Sequence, residues 1–308
     1  MCFVIIENMK NLCSICPRNC NSSRDTSVGF CGAKNSATIS KVMIHHFEEP
    51  IISGQENDTQ HGSGTIFFSG CTLKCCYCQN SEISSAVTGK EVSADTLADV
   101  FKQLENAGAF NINLVTPTHF TNAIIEALNI YRPSIPIVWN TSGYETVSTI
   151  KKLAPYVDIY LTDFKYFDPK LAEKYSLAKN YPENAKNAIL EMRKNQPEDI
   201  IENGLMKKGV IVRHLVLPSH TKDSLNIINW TNENLGNKTY FSLMAQYVPM
   251  AKARMHPEIN RKVTSLEYKI LEKQLNKLGF VNAFLQDSSS AETIYTPDFN
   301  ETHSDFKF

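Results

Sequence analysis

From Gly64 onward the chain alternates compact apolar runs with longer amphipathic stretches. Thr65–Ser69 is the first such run, and Asn111–Thr116, Ile135–Trp139, Val157–Thr162, Val210–Leu217 and Lys238–Met244 repeat it. Short apolar runs bounded by turn residues predict strands. Between them, Ser93–Ala107 sets Leu97, Val100, Phe101 and Leu104 at helical spacing. Further helices are predicted at Ala123–Asn129, Thr146–Leu153, one long stretch from about Asp168 to Arg193, and near 222–235 and 264–278. Strand–helix alternation of this kind builds a parallel sheet with helices outside, as an open doubly wound sheet or as a complete or partial barrel. No Gly-x-Gly-x-x-Gly follows the first strand, which weakens the doubly wound option.

Before Gly64 the texture differs. The first 40 residues show little periodicity and carry Cys13, Cys16, Cys20 and Cys31 among Gly, Asn and Ser. Such a stretch reads as a small module organised by something other than an apolar core. Ser53–Ser63, with Gln55-Glu56-Asn57-Asp58, reads as an exposed loop. The expected division is a Cys-rich metal-binding module over 1–50, a strand–helix core over 60–285 and a tail over 286–308.

Composition narrows the function. With 308 residues, 42% of them apolar, the chain can bury a core without disulfide staples. A formal net charge of −1 gives no bulk attraction to nucleic acid or anionic membrane, so neither is an expected partner. The apolar start Met1-Cys2-Phe3-Val4-Ile5-Ile6 stops at Glu7, too short for a signal-peptide core, and no stretch reaches the ~18 apolar residues of a membrane span. The expected location is cytoplasmic, where thiols stay reduced. All nine cysteines precede residue 79, a lopsided placement that suits metal sites better than a disulfide framework.

Four of those cysteines crowd into "FFSGCTLKCCYCQN", residues 67–80. Cys75 and Cys76 are neighbours and point different ways, so the set that can converge is Cys71-x3-Cys75-x2-Cys78, with Cys76 a bystander. A four-iron cubane takes four ligands, and three cysteines leave one iron open for chemistry. Structural zinc wants four closed ligands, and no nearby histidine completes this set. In a parallel barrel the loop after the first strand lies at the C-terminal face, where active sites are built. Cys13-x2-Cys16-x3-Cys20-x10-Cys31 is a separate four-thiolate set that suits structural zinc or a second iron–sulfur cluster; spacing alone does not separate the two.

Cys71-x3-Cys75-x-Tyr77-Cys78 after a first strand resembles the signature of the radical S-adenosylmethionine (radical SAM) superfamily. "CSICPRNC", "GFCGA", "GSGTIFFSGCTLKCCYCQN", "NINLVTPTHF", "NTSGYE", "YLTDFK", "VRHLVLP" and "SLMAQY" are similar to homologues of pyruvate formate-lyase activating enzyme. The resemblance implies a partial (β/α)6 TIM-like barrel of the radical SAM type over 60–285, a [4Fe–4S] cluster on Cys71, Cys75 and Cys78, and S-adenosylmethionine bound at the open iron. It implies an oxidoreductase that cleaves S-adenosylmethionine reductively, with flavodoxin or ferredoxin as electron donor, and activates a glycyl radical enzyme or modifies another polypeptide by hydrogen abstraction. Radical chemistry on a different peptide or small molecule is the runner-up. A non-enzymatic binding protein with a four-cysteine zinc module is the third reading.

Carried over residue by residue, the resemblance places Asn140-Thr141-Ser142-Gly143 where activating enzymes have Asp-Thr-Asn-Gly. It matches Asp163-Phe164-Lys165 to their Asp-x-Lys and Arg213 to their fifth-strand arginine. Tyr77, Thr116, Asn140, Asp163, Lys165, Arg213 and Gln246 are the implied cofactor contacts. Three departures stand out. Val115-Thr116-Pro117-Thr118-His119 replaces Gly-Gly-Glu-Pro, which leaves Thr116 or Thr118 to hold the methionyl amino group. Gln246-Tyr247 stands where a histidine is expected. Asn140 replaces an aspartate, which puts the cation site of activating enzymes in doubt. His119 reads equally as a ligand or a helix-start residue after Pro117, and His45-His46 as structural.

Overall fold

The computed structural model describes residues 12–55, 60–286, 299 and 306–308. The apolar start at Met1–Glu7, residues 56–59 of the polar loop and most of the 286–308 tail lie outside the described residues.

Among the described residues, ten strands run in chain order as β1 (Ala37–His45), β2 (Ser63–Phe68), β3 (Lys90–Val92), β4 (Ile112–Val115), β5 (Ile137–Thr141), β6 (Ile159–Asp163), β7 (Ile200–Glu202), β8 (Leu205–Leu215), β9 (Tyr240–Met244) and β10 (Ala283–Leu285). The helices are α1 (Pro50–Ser53), α2 (Ser81–Ser85), α3 (Ala94–Asn106), α4 (Thr121–Ile130), α5 (Val147–Leu153), α6 (Pro169–Ser176), α7 (Tyr181–Asn195), α8 (Thr221–Leu235) and α9 (Ser265–Leu278). Strands order β10-β9-β8-β6-β5-β4-β2-β1-β3, with β7 paired to β8. From β2 to β10 the neighbours are parallel, whereas β1 joins β2 and β3 joins β1 antiparallel. The sheet is not closed, so the architecture is a partial α/β barrel with a Cys-rich amino-terminal segment.

The six strands predicted from the apolar runs are β2, β4, β5, β6, β8 and β9. They are legible because strands covered on both faces read as continuous apolar runs. Two features depart from the prediction. The long helix over 168–193 is two helices: Leu177 takes a left-handed φ of 53° and caps α6, and Pro182 opens α7. No glycine marks the break, so helical spacing runs through it. The second departure is β1, which lies within residues 1–50 yet extends the sheet.

Apolar side chains form two layers. The larger, holding Phe68, Trp139, Tyr160, Val212 and Phe241, fills the space between sheet and helices. The smaller lies on the inner face: Ile52, Val138, Ile159, Leu161, Met206 and Ile211. Ile52 comes from α1, which packs against β8, so residues after β1 turn inward and plug the half-barrel. Among the described residues no helix is long and apolar enough to cross a membrane.

Ile52 is wholly buried at the tip of this plug. Ile52→Ala should lower stability by about 2–5 kcal/mol, the range for truncating a buried isoleucine. Anaerobic chemical denaturation measures it, and an unchanged midpoint would rule out the plug as part of the cooperative core.

Candidate functional site

The loop after β2 is held from several sides. Gly70 has φ +82°, and a Cβ there would stand 2.6 Å from the Cys31 carbonyl, so only glycine lets the two cysteine segments meet. The Gly70 amide donates to the Ile83 carbonyl at 2.8 Å. Ser176 Oγ donates to Cys75 Sγ at 2.9 Å and Ser84 Oγ to Cys78 Sγ at 3.4 Å. Cys76 is set apart: its amide donates to the Tyr175 carbonyl at 2.8 Å, and it does not line the cavity that Cys71, Cys75 and Cys78 share. Burial raises the Cys75 thiol and pushes Cys76 and Cys78 up to about 12. A bound metal reverses such a preference by supplying the counter-charge.

The strand ends carry a charged network centred on Arg213. Register sets Asp163 beside Arg213 on neighbouring β6 and β8. Arg213 Nε donates to Asp163 Oδ1 at 2.9 Å, Nη1 to Glu48 Oε2 at 2.9 Å, and Nη2 to Asn140 Oδ1 at 2.6 Å. Glu48 Oε1 accepts from Asn140 Nδ2 at 2.9 Å and Asn113 Nδ2 at 3.0 Å, while Lys165 Nζ donates to Asp163 Oδ2 at 2.6 Å. Burial alone would raise the Asp163 carboxyl, but Lys165 and Arg213 outweigh it and hold it below the usual range. Lys165 stays charged for the converse reason: burial would lower its ammonium, and Asp163 outweighs that. Glu49 Oε2 makes no hydrogen bond but stands 4.0 Å from Arg213 Nη1, and burial raises its carboxyl.

At the end of β4, Thr116 adopts φ +58°, a rare strained geometry for a β-branched residue. It is held there by its amide, which donates to the Asn140 carbonyl at 2.9 Å, and by Pro117 behind it. The strain sets the Thr116 carbonyl and hydroxyl where an extended residue could not. Gly143, after β5, has φ +75°, and a Cβ there would meet the Asp163 carbonyl at 2.4 Å.

One cavity of about 220 Å³ gathers these groups. Its lining includes Cys71, Cys75, Tyr77, Cys78, Thr116, Asn140, Asp163, Lys165, Arg213 and Gln246, with Phe67, Leu73, Leu215 and Met244 as apolar wall. All the candidate cluster and cofactor residues therefore share one space; Thr118 and Cys76 do not line it. His45 does, edge-on to Phe47 and Phe67. Thr118 instead donates to Glu145 Oε1 at 2.7 Å. Among the described residues no three His, Cys, Asp or Glu side chains converge as ligands of one bare ion. Three thiols spread along one wall suit a cubane, whose irons are separate ligand positions.

Glu48, Ser176 and Ser84 escaped the sequence reading. Glu48-Glu49 ahead of Pro50 was a visible signal, since a carboxylate pair beside an apolar helix start has to find donors. Nothing in the sequence around Ser176 places it against Cys75.

The amino-terminal cysteines surround a second, closed cavity of about 10 Å³, lined by Cys13, Cys16, Cys20, Cys31, Arg18, Arg24 and His119 among others. Cys16 and Cys31 are buried, and burial pushes the Cys16 thiol up to about 12. Arg18 ties this segment to the cluster loop: Nε donates to the Thr72 carbonyl at 2.8 Å, Nη2 to the Ser176 carbonyl at 2.9 Å, and Nη1 to that of Leu177. Its guanidinium lies 3.8 Å above the Phe30 ring. His119 faces this second cavity, not the first, and burial pushes its imidazole down to about 4.

The family model of the Radical SAM superfamily matches residues 65–230. The uncharacterized protein MJ0674 of Methanocaldococcus jannaschii is 32% identical over 281 residues, which cover 88% of this chain and 75% of that protein. Streptococcus suis SuiB bound to its precursor peptide SuiA aligns with a TM-score of 0.49 at 13% identity, over 70% of this chain and 46% of SuiB. SuiB bound to S-adenosylmethionine aligns with a TM-score of 0.46 at 14% identity, over 70% and 45%. The chain thus spans a little under half the length of SuiB.

The Arg213–Glu48 pair has a direct test. Removing one partner of a buried pair costs about 3–5 kcal/mol, because the other charge is left uncompensated. Glu48→Ala should therefore destabilise by that order, and adding Arg213→Met should restore part of the loss. Strictly additive losses in this double-mutant cycle would deny the coupling.

Proposed function

Because the chain belongs to the radical SAM superfamily, we propose that it is an oxidoreductase that cleaves S-adenosylmethionine reductively and abstracts hydrogen from a polypeptide. The polypeptide is a glycyl radical enzyme, by the resemblance of its motifs to homologues of pyruvate formate-lyase activating enzyme. The observation that carries the proposal is the shared cavity at the C-terminal strand ends, lined by the three thiols, Tyr77, Thr116, Asn140, Asp163, Lys165, Arg213 and Gln246. Cys71, Cys75 and Cys78 would hold a [4Fe–4S] cluster, leaving one iron for S-adenosylmethionine. When bound, the cluster supplies one electron, received from a flavodoxin or ferredoxin, that splits S-adenosylmethionine into methionine and a 5′-deoxyadenosyl radical.

The chain's own residues divide the remaining work. Arg213 uses three of its five N–H donors to fix Asp163, Glu48 and Asn140 in place and keeps two for the cofactor. Lys165 spends one of its three donors on Asp163, which leaves it as the cation for the methionyl carboxylate. The strained Thr116 supplies oxygens for the amino group, in place of the absent Gly-Gly-Glu. Asn140 and Gln246 suit ribose hydroxyls, and the Tyr77 ring offers a face to the base. Phe67, Leu73, Leu215 and Met244 keep water from a reactive radical. Cys13, Cys16, Cys20 and Cys31 surround a metal centre separate from the cluster, zinc or a second iron–sulfur cluster.

Iron analysis after anaerobic reconstitution tests the ligand assignment. Serine at Cys71, Cys75 or Cys78 should each remove most of the cluster iron, while Cys76→Ser should stay near wild type. Equal loss at Cys76 would break the assignment.

Reduced, reconstituted protein should convert S-adenosylmethionine to 5′-deoxyadenosine and methionine, read by anaerobic chromatography. A fully loaded, reduced cluster that yields none, with candidate polypeptides present, would overturn the enzyme reading. Losing a charge-assisted hydrogen bond costs about 1.5–3 kcal/mol. Lys165→Ala should accordingly weaken S-adenosylmethionine binding about tenfold or more while leaving cluster iron in place.

A further inference from the structure

We propose that Glu145 is a positioning residue for S-adenosylmethionine: it clamps the strained turn after β4 to the end of β5, so that the oxygens of Thr116 face the methionyl amino group. The inference deepens the proposed function and rests on its assignment of Thr116. Glu145 lies outside the cavity and is fully buried. Its Oε1 gathers three donors from two directions. Thr118 Oγ1, in the turn after β4, donates at 2.7 Å. From β5, Trp139 Nε1 donates at 3.3 Å, and so does the hydroxyl of Thr141, the last residue of that strand and part of the cavity wall. Glu145 Oε2 is buried and has no hydrogen-bond partner.

A buried carboxyl with one oxygen left unmatched is costly, so packing alone does not account for a glutamate here. What it adds is a clamp between two strand ends. Thr116 takes φ +58°, which a β-branched residue keeps only where its surroundings over-determine it. Its amide is tied to the Asn140 carbonyl at 2.9 Å. Two residues later Thr118 is tied to Glu145, and Thr141, next to Asn140, shares the same carboxyl oxygen. The turn is thus pinned on both sides of Pro117 to consecutive residues of β5. Thr121 Oγ1 donates back to the Thr118 carbonyl at 2.7 Å, so α4 also starts from this fixed point. Thr116 and Asn140 line the cavity and Thr118 does not: Thr118 holds the turn, and Thr116 faces the ligand. Without Glu145 Oε1, the link between Thr118 and Thr141 falls to their mutual contact of 3.4 Å, longer than a sound hydroxyl bond. Thr116 is then free to relax to an unstrained geometry, and its oxygens leave their place.

The test is anaerobic calorimetry of S-adenosylmethionine binding to the reconstituted full chain, with cluster iron and melting temperature recorded alongside. Glu145→Leu keeps the bulk and loses the acceptor, and should weaken binding per intact cluster about tenfold or more. Glu145→Gln keeps Oε1 as an acceptor and should bring affinity back to within about threefold of wild type. Thr118→Val should also weaken binding, and the double variant should bind no more weakly than Glu145→Leu alone, because both changes break one clamp. Thr118→Val is the milder change and carries the test should the leucine variant fail to fold. Unchanged affinity in Thr118→Val, or strictly additive losses in the double variant, would overturn the inference. So would a lower melting temperature with affinity per remaining cluster intact, which marks a purely structural role. Wild-type protein that binds no S-adenosylmethionine would overturn the proposed function along with it.

Discussion

A buried guanidinium sets the terms for the inner face of this half-barrel. Arg213 cannot lose its charge, and it sits where water supplies little compensation, so the surrounding chain has to provide acceptors at fixed positions. It does so from three places far apart in sequence: Asp163 on β6, Asn140 on β5 and Glu48 in the turn between β1 and α1. The parallel register supplies the first two, because it sets the ends of these strands side by side. Glu48 is different. It comes from a segment outside the parallel strands, and its bonds to Arg213, Asn140 and Asn113 draw the residues after β1 into the barrel, where Ile52 then finds its apolar pocket. Polar and apolar requirements thus position the same short plug.

The cysteine loop depends on that frame at one remove. Its thiols face the cavity beside Asp163 and Lys165, but its backbone is shaped by neighbours behind it: the Cys31 carbonyl against Gly70, Arg18 against the Thr72 carbonyl, and Ser176 against Cys75. Through Arg18 and Gly70 the amino-terminal cysteine segment becomes a wall of the cluster loop and not a separate appendage. If the loop holds the cluster as proposed, such bracing serves it, since sulfurs held by packing keep their geometry better than sulfurs on a free turn.

Much of this was legible in the sequence. The six central strands announce themselves as apolar runs, and the candidate cofactor residues Asn140, Asp163 and Arg213 sit at strand ends. What stayed hidden has physical reasons. β1 carries a lysine and a serine among its apolar residues, and its pairing depends on β2. The break between α6 and α7 uses Leu177 in a left-handed conformation where glycine would have been the visible mark. Glu48 acts across 165 residues, a contact that no local pattern encodes. His119 read equally as a ligand or as a helix-start residue; it lies in the short 3-10 turn Thr118–Phe120 after Pro117 and lines the cavity of the amino-terminal cysteines.

The distance along the chain between the thiols and Arg213 has a consequence for how the protein is made. The last cysteine, Cys78, is followed by about 135 residues before Arg213 appears. At ribosomal rates of roughly 5–20 residues per second, the thiols precede the guanidinium by on the order of 10 s. The Glu48–Arg213 bond has to wait for that whole interval, and the Ser176 contact for the first 98 residues of it. The nascent chain therefore exposes a bare cysteine segment to oxidants and stray metals before its shelter has been synthesised.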